Sequence, residues 1–159
     1  MFEEDKKTKK IYDKKSAKVK AEHYCAYQER SQQEVRDKLY EWGLHSNEVE
    51  EVISELILSN FLNEERFAIA YALGKFRVKK WGKVKIKQAL KLKKVSEYCI
   101  KKAMAAIDPD DYEQTLREVI EKKVSLLKEK NEFKRKNQIA TYAIGRGFES
   151  DMVWNAIGY

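Results

Sequence analysis

The chain has 159 residues, of which 43% are hydrophobic, so it carries enough apolar surface to fold and disorder of the whole chain is excluded. One proline and six glycines interrupt it, which favours long helices and argues against a turn-rich β protein. The formal net charge of +7 points toward a polyanionic partner, although a basic balance alone says more about solubility than about function.

The first fifteen residues form a segment of their own. Residues 1–15 are rich in lysine and poor in apolar side chains, so we expect a flexible basic extension. They lack the apolar core of a signal peptide, and no later apolar run is long enough to span a membrane. Cys25 and Cys99 are isolated thiols, which we expect to be buried as small hydrophobic residues. These features predict a cytoplasmic protein without a membrane anchor.

Three later stretches share one pattern of apolar residues and a corner. The first and second copies are 51 residues apart, the second and third are 53 apart, and the internal spacings of 4, 4, 6 and 3 agree. Two apolar positions four residues apart form a helix face, a glycine ends that helix, and a second face begins six residues later. Each copy therefore predicts a helix pair with a tight corner. The aligned residues are Val35, Leu39, Gly43, Val49 and Val52; Ile86, Leu90, Lys94, Ile100 and Ala103; and Ile139, Ala143, Gly147, Val153 and Ala156.

Helix signals divide these copies into domains. A further helix is predicted before each pair, over residues 16–29, 64–80 and 109–130, the last with Asp108 as its N-cap. The other predicted N-caps are Ser31, Ser46, Ser96 and Ser150. The sequence therefore predicts an all-α protein of three tandem three-helix repeats, at residues 16–60, 61–107 and 108–159. Because each repeat has a thin core of its own, neighbours should share apolar contacts and form an elongated, curved array.

The basic excess is concentrated in the second repeat. Residues 75–94 contain ten Lys or Arg and no acid. Lys83, Lys87, Lys91 and Lys94 follow one another at i, i+4, i+8 and i+11, which predicts one stripe along a helix. The stripe is either a solvated helix face or, as we favour, the surface for an anionic partner. Trp81 is equally compatible with a packed corner and an exposed contact, and we expect Gly82 to permit the bend between two helices.

No constellation of residues in the sequence predicts catalysis. The acidic doublets at residues 64–65 and 110–111 fall at helix starts, where they compensate the helix dipole. His23 and His45 are solitary, and neither a phosphate-binding glycine loop nor a metal-ligand spacing occurs. The sequence therefore predicts a binding protein that is not an enzyme and needs no cofactor or metal.

Several separate stretches together resemble the RecX family of bacterial recombination regulators, from about Ala21 to the C-terminus. They are ERSQQEVRDKL at residues 29–39, FLNEERFAIAY at 61–71, WGKVKIKQAL at 81–90 and RGF at 146–148. Three positions depart from the family pattern, because Lys80, Lys83 and Lys94 stand where the family often has glycine, proline and glycine. If the residue at position 94 needs a positive φ, lysine there costs about 1 kcal/mol relative to glycine.

The resemblance implies a non-enzymatic negative regulator of RecA, the protein whose filament on single-stranded DNA drives strand exchange and the SOS response. Such a regulator lies in the filament groove and inhibits ATPase, strand-exchange and coprotease activities; we expect a monomer with weak direct DNA binding at most. The predicted contact residues are Arg77, Lys79, Lys80, Lys83, Lys87, Lys91 and Lys94, with Lys134, Arg135 and Arg146 as further candidates from the third repeat.

Two other functions stay open on the sequence alone. A non-specific nucleic-acid-binding protein would explain the basic charge and the helix pairs, but the helices after the corners are acidic or nearly uncharged, which argues against reading of base edges. A purely structural helical scaffold would leave the lysine stripe without a role.

Overall fold

The computed structural model describes residues 11–158, and this part of the chain contains nine α-helices and no strand. The helices follow one another as three sets of three, so the prediction of an all-α protein built from tandem three-helix repeats is confirmed. They are α1 (Lys14–Tyr27), α2 (Gln32–Glu41), α3 (Ser46–Leu58), α4 (Glu64–Lys79), α5 (Lys83–Leu92), α6 (Glu97–Ala105), α7 (Pro109–Leu126), α8 (Glu132–Gly145) and α9 (Ser150–Ile157).

The predicted N-terminal extension is only partly covered by the structure. Residues 1–10 lie outside the described residues. Residues 11–13 precede α1, and the backbone N–H of Tyr12 donates a 2.9 Å hydrogen bond to the carbonyl of Trp42. Asp13 is the N-cap of α1, its side chain accepting from the backbone N of Ser16, so the helix begins two residues before the predicted start at position 16.

The chain divides into two compact units, the first ending at Phe67. Alanines at positions 17 and 21 let α1 approach α2 and α3 closely, and Cys25 is buried beside them. Burial raises the pKa of the Cys25 thiol to about 11. Both cysteines are 6% exposed, as the sequence predicted. The core of this unit is completed by Val35, Leu39, Leu44, Val49, Val52, Ile53, Leu56 and Leu62.

An ion pair in the first unit joins two of the stretches that carry the family resemblance. The Arg66 guanidinium pairs with the Glu29 carboxylate and also donates to the backbone carbonyl of Asn60 at 3.1 Å. Asn60 ends α3 with a φ of 61°. Arg66 thus satisfies a carbonyl at a helix end while fixing the segment that follows α1.

The second unit begins at Ala68 and contains the rest of α4 and helices α5 to α9. Its core includes an aromatic cluster in which the Tyr112 ring centroid lies 5.8 Å from that of Phe76 and 5.3 Å from that of Phe148. Tyr112 and Phe148 are almost fully buried. Aromatic burial of this size fixes the end of α4 and the corner after α8 around α7.

The repeat spacing predicted the buried positions with one exception. The apolar repeat positions are buried in all three copies except Ala156, which is exposed at the rim of a groove between α7 and α9 lined by Leu116, Ile120 and Met152. The prediction for that position was wrong, because α7 and α9 leave a groove open beside it.

The corners determine where the following helices begin. The N-cap is the second residue after a positive-φ residue in every repeat, which places His45, Ser96 and Glu149 at the N-caps of α3, α6 and α9. The prediction is confirmed for Ser96, and elsewhere for Ser31 and Asp108. It was wrong by one residue for Ser46 and Ser150, because corner geometry outweighs the capping preference of serine.

Candidate interaction surface

The basic segment at residues 75–94 covers the end of α4, the whole of α5 and the corners that follow each helix. Helix α5 buries Ile86 and Leu90 completely, which fixes the orientation of its other side chains. Lys87, Lys91 and Lys94 are exposed along the predicted stripe, whereas Lys83 is only partly exposed. Apolar spacing on α5 therefore sets a row of ammonium groups on its outer surface.

Few carboxylates neutralise these cations. Lys80 pairs with Glu118 at 3.0 Å, lowering the pKa of that carboxyl, and Lys91 lies 3.9 Å from Glu97. Both pairs are about half exposed or more, so each contributes little to stability. Of the seven predicted contact residues in the basic segment, five make no ion pair within residues 11–158, namely Arg77, Lys79, Lys83, Lys87 and Lys94. The surface therefore keeps most of its positive charge available for a partner.

Lys83 is partly engaged with the third repeat. Its ammonium group lies 4.8 Å from the centroid of the Tyr112 ring, and its backbone N–H donates to the Tyr112 hydroxyl at 2.9 Å. That hydroxyl in turn donates to Glu149 Oε2 at 2.6 Å. Burial, followed by the hydrogen bond to Glu149, raises the pKa of Tyr112 well above its ordinary value, so the phenol stays protonated. Lys83 thus contributes to packing as well as to the charge of the stripe.

Gly82 holds the start of α5 against the corner after α8. The backbone N of Gly82 donates to the carbonyl of Arg146, and that of Val84 donates to the carbonyl of Gly147, both at 2.9 Å. A Cβ on Gly82 would overlap the Gly147 carbonyl group. The φ of Gly82 is −76°, which any residue adopts, so the prediction that glycine serves the bend was wrong. Glycine is needed because two backbones meet there.

The three candidates from the third repeat differ in what their side chains contact. The Arg146 guanidinium donates to the backbone carbonyl of Lys79, which brings these two predicted residues together. Arg135 donates to the carbonyl of Val124 in the last turn of α7 at 3.5 Å and to that of Glu129 in the following loop at 3.4 Å. Lys134 is exposed in the first turn of α8. Arg146 and Arg135 therefore bind backbone at junctions, while the Lys134 side chain is open to solvent.

Two lysines of the surface adopt left-handed backbone conformations. Lys94 has a φ of 60° and occupies the position that Gly43 and Gly147 hold in the other repeats. The hydrogen bonds are also equivalent, because residue 95 donates to the carbonyl of residue 90 just as Leu44 donates to Leu39. Lys80 has a φ of 55° after α4. Lys94 thus has the positive φ at which lysine costs about 1 kcal/mol relative to glycine.

Trp81 is half-buried beside two lysines that the site prediction omitted. The ammonium groups of Lys75 and Lys85 lie 5.0 and 4.6 Å from the centroid of its ring. Lys75 also lies 5.5 Å from the ring of Tyr71. The spacings could have indicated these contacts, because Tyr71 and Lys75, like Trp81 and Lys85, are four residues apart.

The described part of the chain has neither a metal-ligand cluster nor a membrane-spanning helix. Between residues 11 and 158, no group of three or more His, Cys, Asp and Glu side chains is placed to hold a metal ion. None of the helices in the same range is long and apolar enough to cross a bilayer.

Three family models match the chain in succession. They are the first three-helix domain of RecX at residues 17–56, the second at 63–104 and the third at 110–157. A curated relative, the regulatory protein RecX of Clostridium perfringens strain 13, is 32% identical over 124 residues. That match covers 77% of this chain and 58% of the relative, so the chain spans less than two thirds of this relative's length.

A second relative and a solved structure extend the similarity over most of the chain. The regulatory protein RecX of Prosthecochloris aestuarii is 30% identical over 141 residues, which cover 89% of this chain and 91% of the relative. The crystal structure of RecX from Lactobacillus salivarius superposes with a TM-score of 0.83 over 91% of this chain and 94% of that chain. Its sequence identity is 22%, so this likeness supports the fold alone.

Proposed function

The chain belongs to the RecX family, and from that premise we propose that it is a non-enzymatic negative regulator of RecA. It binds the groove of the RecA filament on single-stranded DNA and inhibits ATP hydrolysis, strand exchange and coprotease activity. It acts in the cytoplasm, as a monomer, on recombination, DNA repair and the SOS response. The succession of all three RecX domains in one chain is the observation that carries this proposal.

The basic segment supplies the contact surface in this proposal. Its candidates are Arg77, Lys79, Lys80, Lys83, Lys87, Lys91 and Lys94, with Lys134 added from α8. Cations without carboxylate partners lose only their hydration when they meet acidic side chains or phosphates of the filament, so they gain the most from binding. Arg135 and Arg146 are positioning residues in this proposal, because their guanidinium groups bind backbone carbonyls.

The uncompensated cations make binding dependent on salt. Neutralisation of phosphates or acidic side chains releases counterions, so the affinity for the filament falls as the salt concentration rises. An inhibitor held only by apolar contacts would bind almost equally at low and high salt. Steep salt dependence therefore supports the basic segment as the contact surface.

The test is sedimentation of the protein with RecA filaments formed on single-stranded DNA, using a slowly hydrolysed ATP analogue. The variant Lys79→Glu/Lys87→Glu/Lys94→Glu reverses three exposed lysines that make no ion pair among residues 11–158. The matched control Lys101→Glu/Lys122→Glu/Lys128→Glu makes the same change in charge at exposed positions elsewhere in the second unit.

The wild type and the control are expected to sediment with the filament, and the first variant is expected to stay in the supernatant. Bare single-stranded DNA is run in parallel. Equal loss in the two triple variants would mean that net charge, not this surface, drives binding. Retention by bare DNA but not by the RecA filament would contradict the proposal and favour a nucleic-acid-binding protein.

A further inference from the structure

Two aromatic rings alternate with three lysines along α4, the corner after it and α5. The Lys93 ammonium lies 5.7 Å from the Tyr71 ring, Lys75 lies between the rings of Tyr71 and Trp81, and Lys85 lies 4.6 Å from Trp81. All five side chains are partly exposed. We name Lys93, Tyr71, Lys75, Trp81 and Lys85 the aromatic–lysine row.

The row is separate from the lysine stripe and shares no residue with it. The stripe consists of Lys83, Lys87, Lys91 and Lys94. On α5 an advance of two residues turns the helix by about 200°, so Lys85 projects from the side opposite Lys83. The second unit therefore carries positive charge on two sides of α5, and in the row two ammonium groups share one tryptophan ring.

Packing of the Trp81 ring does not explain why two ammonium groups gather on it. Lys75 and Lys85 both lie within 5.0 Å of one ring centroid, where the two like charges repel each other. Neither lysine pairs with a carboxylate of residues 11–158. The ring quadrupole compensates part of each charge, and a bound anion would compensate the remainder. The partner of the row is therefore anionic.

We propose that the aromatic–lysine row binds single-stranded nucleic acid, with a base stacked on Trp81 and adjacent phosphates held by Lys75 and Lys85. A single strand alternates flat rings with anionic phosphates, as the row alternates flat rings with cations. A duplex hides the faces of its bases, and an acidic peptide offers carboxylates but no repeated ring. As the phosphates draw the ammonium groups away, the Trp81 ring face becomes free for a base.

This assignment rests on the proposed function, because regulation of RecA would bring the chain to the single-stranded DNA in the RecA filament. The strand is the one held in the RecA filament, so the chain would contact RecA through the lysine stripe and nucleic acid through the aromatic–lysine row. The two surfaces make separable predictions, because the row can be tested with an oligonucleotide in the absence of RecA.

The first test uses the fluorescence of Trp81. The variant Trp42→Phe/Trp154→Phe leaves Trp81 as the single tryptophan without changing the row. Titration with an oligothymidylate, which has no duplex structure, is expected to quench this fluorescence to saturation, in step with the anisotropy of a labelled oligonucleotide. Binding without quenching would place the strand elsewhere and overturn the proposal, as would the absence of binding.

The second test compares two double variants that remove the same charge. Lys75→Gln/Lys85→Gln is expected to weaken oligothymidylate binding and to lower the slope of log affinity against log salt by about 1.4, for two lost phosphate contacts. The control Lys101→Gln/Lys122→Gln alters exposed lysines outside the row. Equal losses in both variants would overturn the proposal. Trp81→Leu is expected to lower the affinity roughly tenfold through lost stacking.

Two further outcomes separate this proposal from the proposed function. Polyglutamate that quenches Trp81 as strongly as oligothymidylate would identify the row as a site for acidic protein and overturn the assignment to nucleic acid. If oligothymidylate fails to quench Trp81 while the chain still inhibits RecA, nucleic-acid binding by the row is contradicted and regulation of RecA is supported. If quenching occurs but RecA is unaffected, regulation of RecA is contradicted and nucleic-acid binding by the row is supported.

Discussion

The Tyr112 hydroxyl donates a 2.6 Å hydrogen bond to Glu149 Oε2, which ties the first turn of α7 to the N-cap of α9. The same hydroxyl accepts from the backbone N of Lys83, so one buried side chain fixes three chain segments. The start of α5, and with it the lysine stripe, is thereby held against the third repeat.

Removal of this hydroxyl is expected to destabilise the protein. Tyr112→Phe keeps the ring contacts with Phe76 and Phe148 but leaves the Lys83 N–H and the Glu149 carboxylate without their partner, which costs about 1–3 kcal/mol of unfolding free energy. Urea unfolding measures the change. The control Tyr98→Phe alters a ring that is 62% exposed and should shift stability by less than about 0.5 kcal/mol. Equal effects would show that the hydrogen bonds contribute nothing.

Two glycines of the same region are expected to respond oppositely to alanine. Gly82→Ala places a methyl group against the Gly147 carbonyl and should cost about 1–3 kcal/mol or more. Gly74→Ala lies in α4 with nothing within 4 Å of the new Cβ and should stabilise by about 0.5–1 kcal/mol. Thermal unfolding of both variants checks the signs. A neutral Gly82→Ala would mean that the two backbones separate at little cost.

Lysine at position 94 is expected to lower the unfolding free energy while it adds positive charge to the contact surface. Lys94→Gly relieves a left-handed φ of 60° and should raise the unfolding free energy by about 1 kcal/mol. Lys87→Gly, which removes the same charge from the interior of α5, should lower it by about 1 kcal/mol. Both should bind RecA filaments more weakly than the wild type. A Lys94→Gly variant that binds as tightly as the wild type would show that charge does not explain lysine at this corner.

Local patterns in the sequence predicted most of the fold. The spacing of residues such as Leu39, Leu90 and Ala143 predicted the buried face of each helix pair, because one helix turn fixes which residues share a face. Pro109 and Asp108 likewise marked the start of α7. Ala156 was mispredicted because its burial depends on how closely two helices approach, which residue spacing does not determine.

The surface was less predictable because its contacts are distant in sequence. The basic segment was visible as a run of charge, but the contact of Lys83 with Tyr112 joins residues 29 positions apart. The engagement of Arg146 with Lys79 spans 67 positions and turns a candidate contact residue into part of a junction. Gly82 was misinterpreted for the same reason, since the backbone it touches belongs to the next repeat.

The most direct measurement is the single-stranded-DNA-dependent ATP hydrolysis of the cognate RecA, titrated with this protein at fixed low salt. We expect inhibition at substoichiometric protein, retained by Lys101→Glu/Lys122→Glu/Lys128→Glu and lost in Lys79→Glu/Lys87→Glu/Lys94→Glu. Absence of inhibition, or inhibition that appears only when enough protein is present to coat the bare DNA, would contradict regulation of RecA through the basic segment.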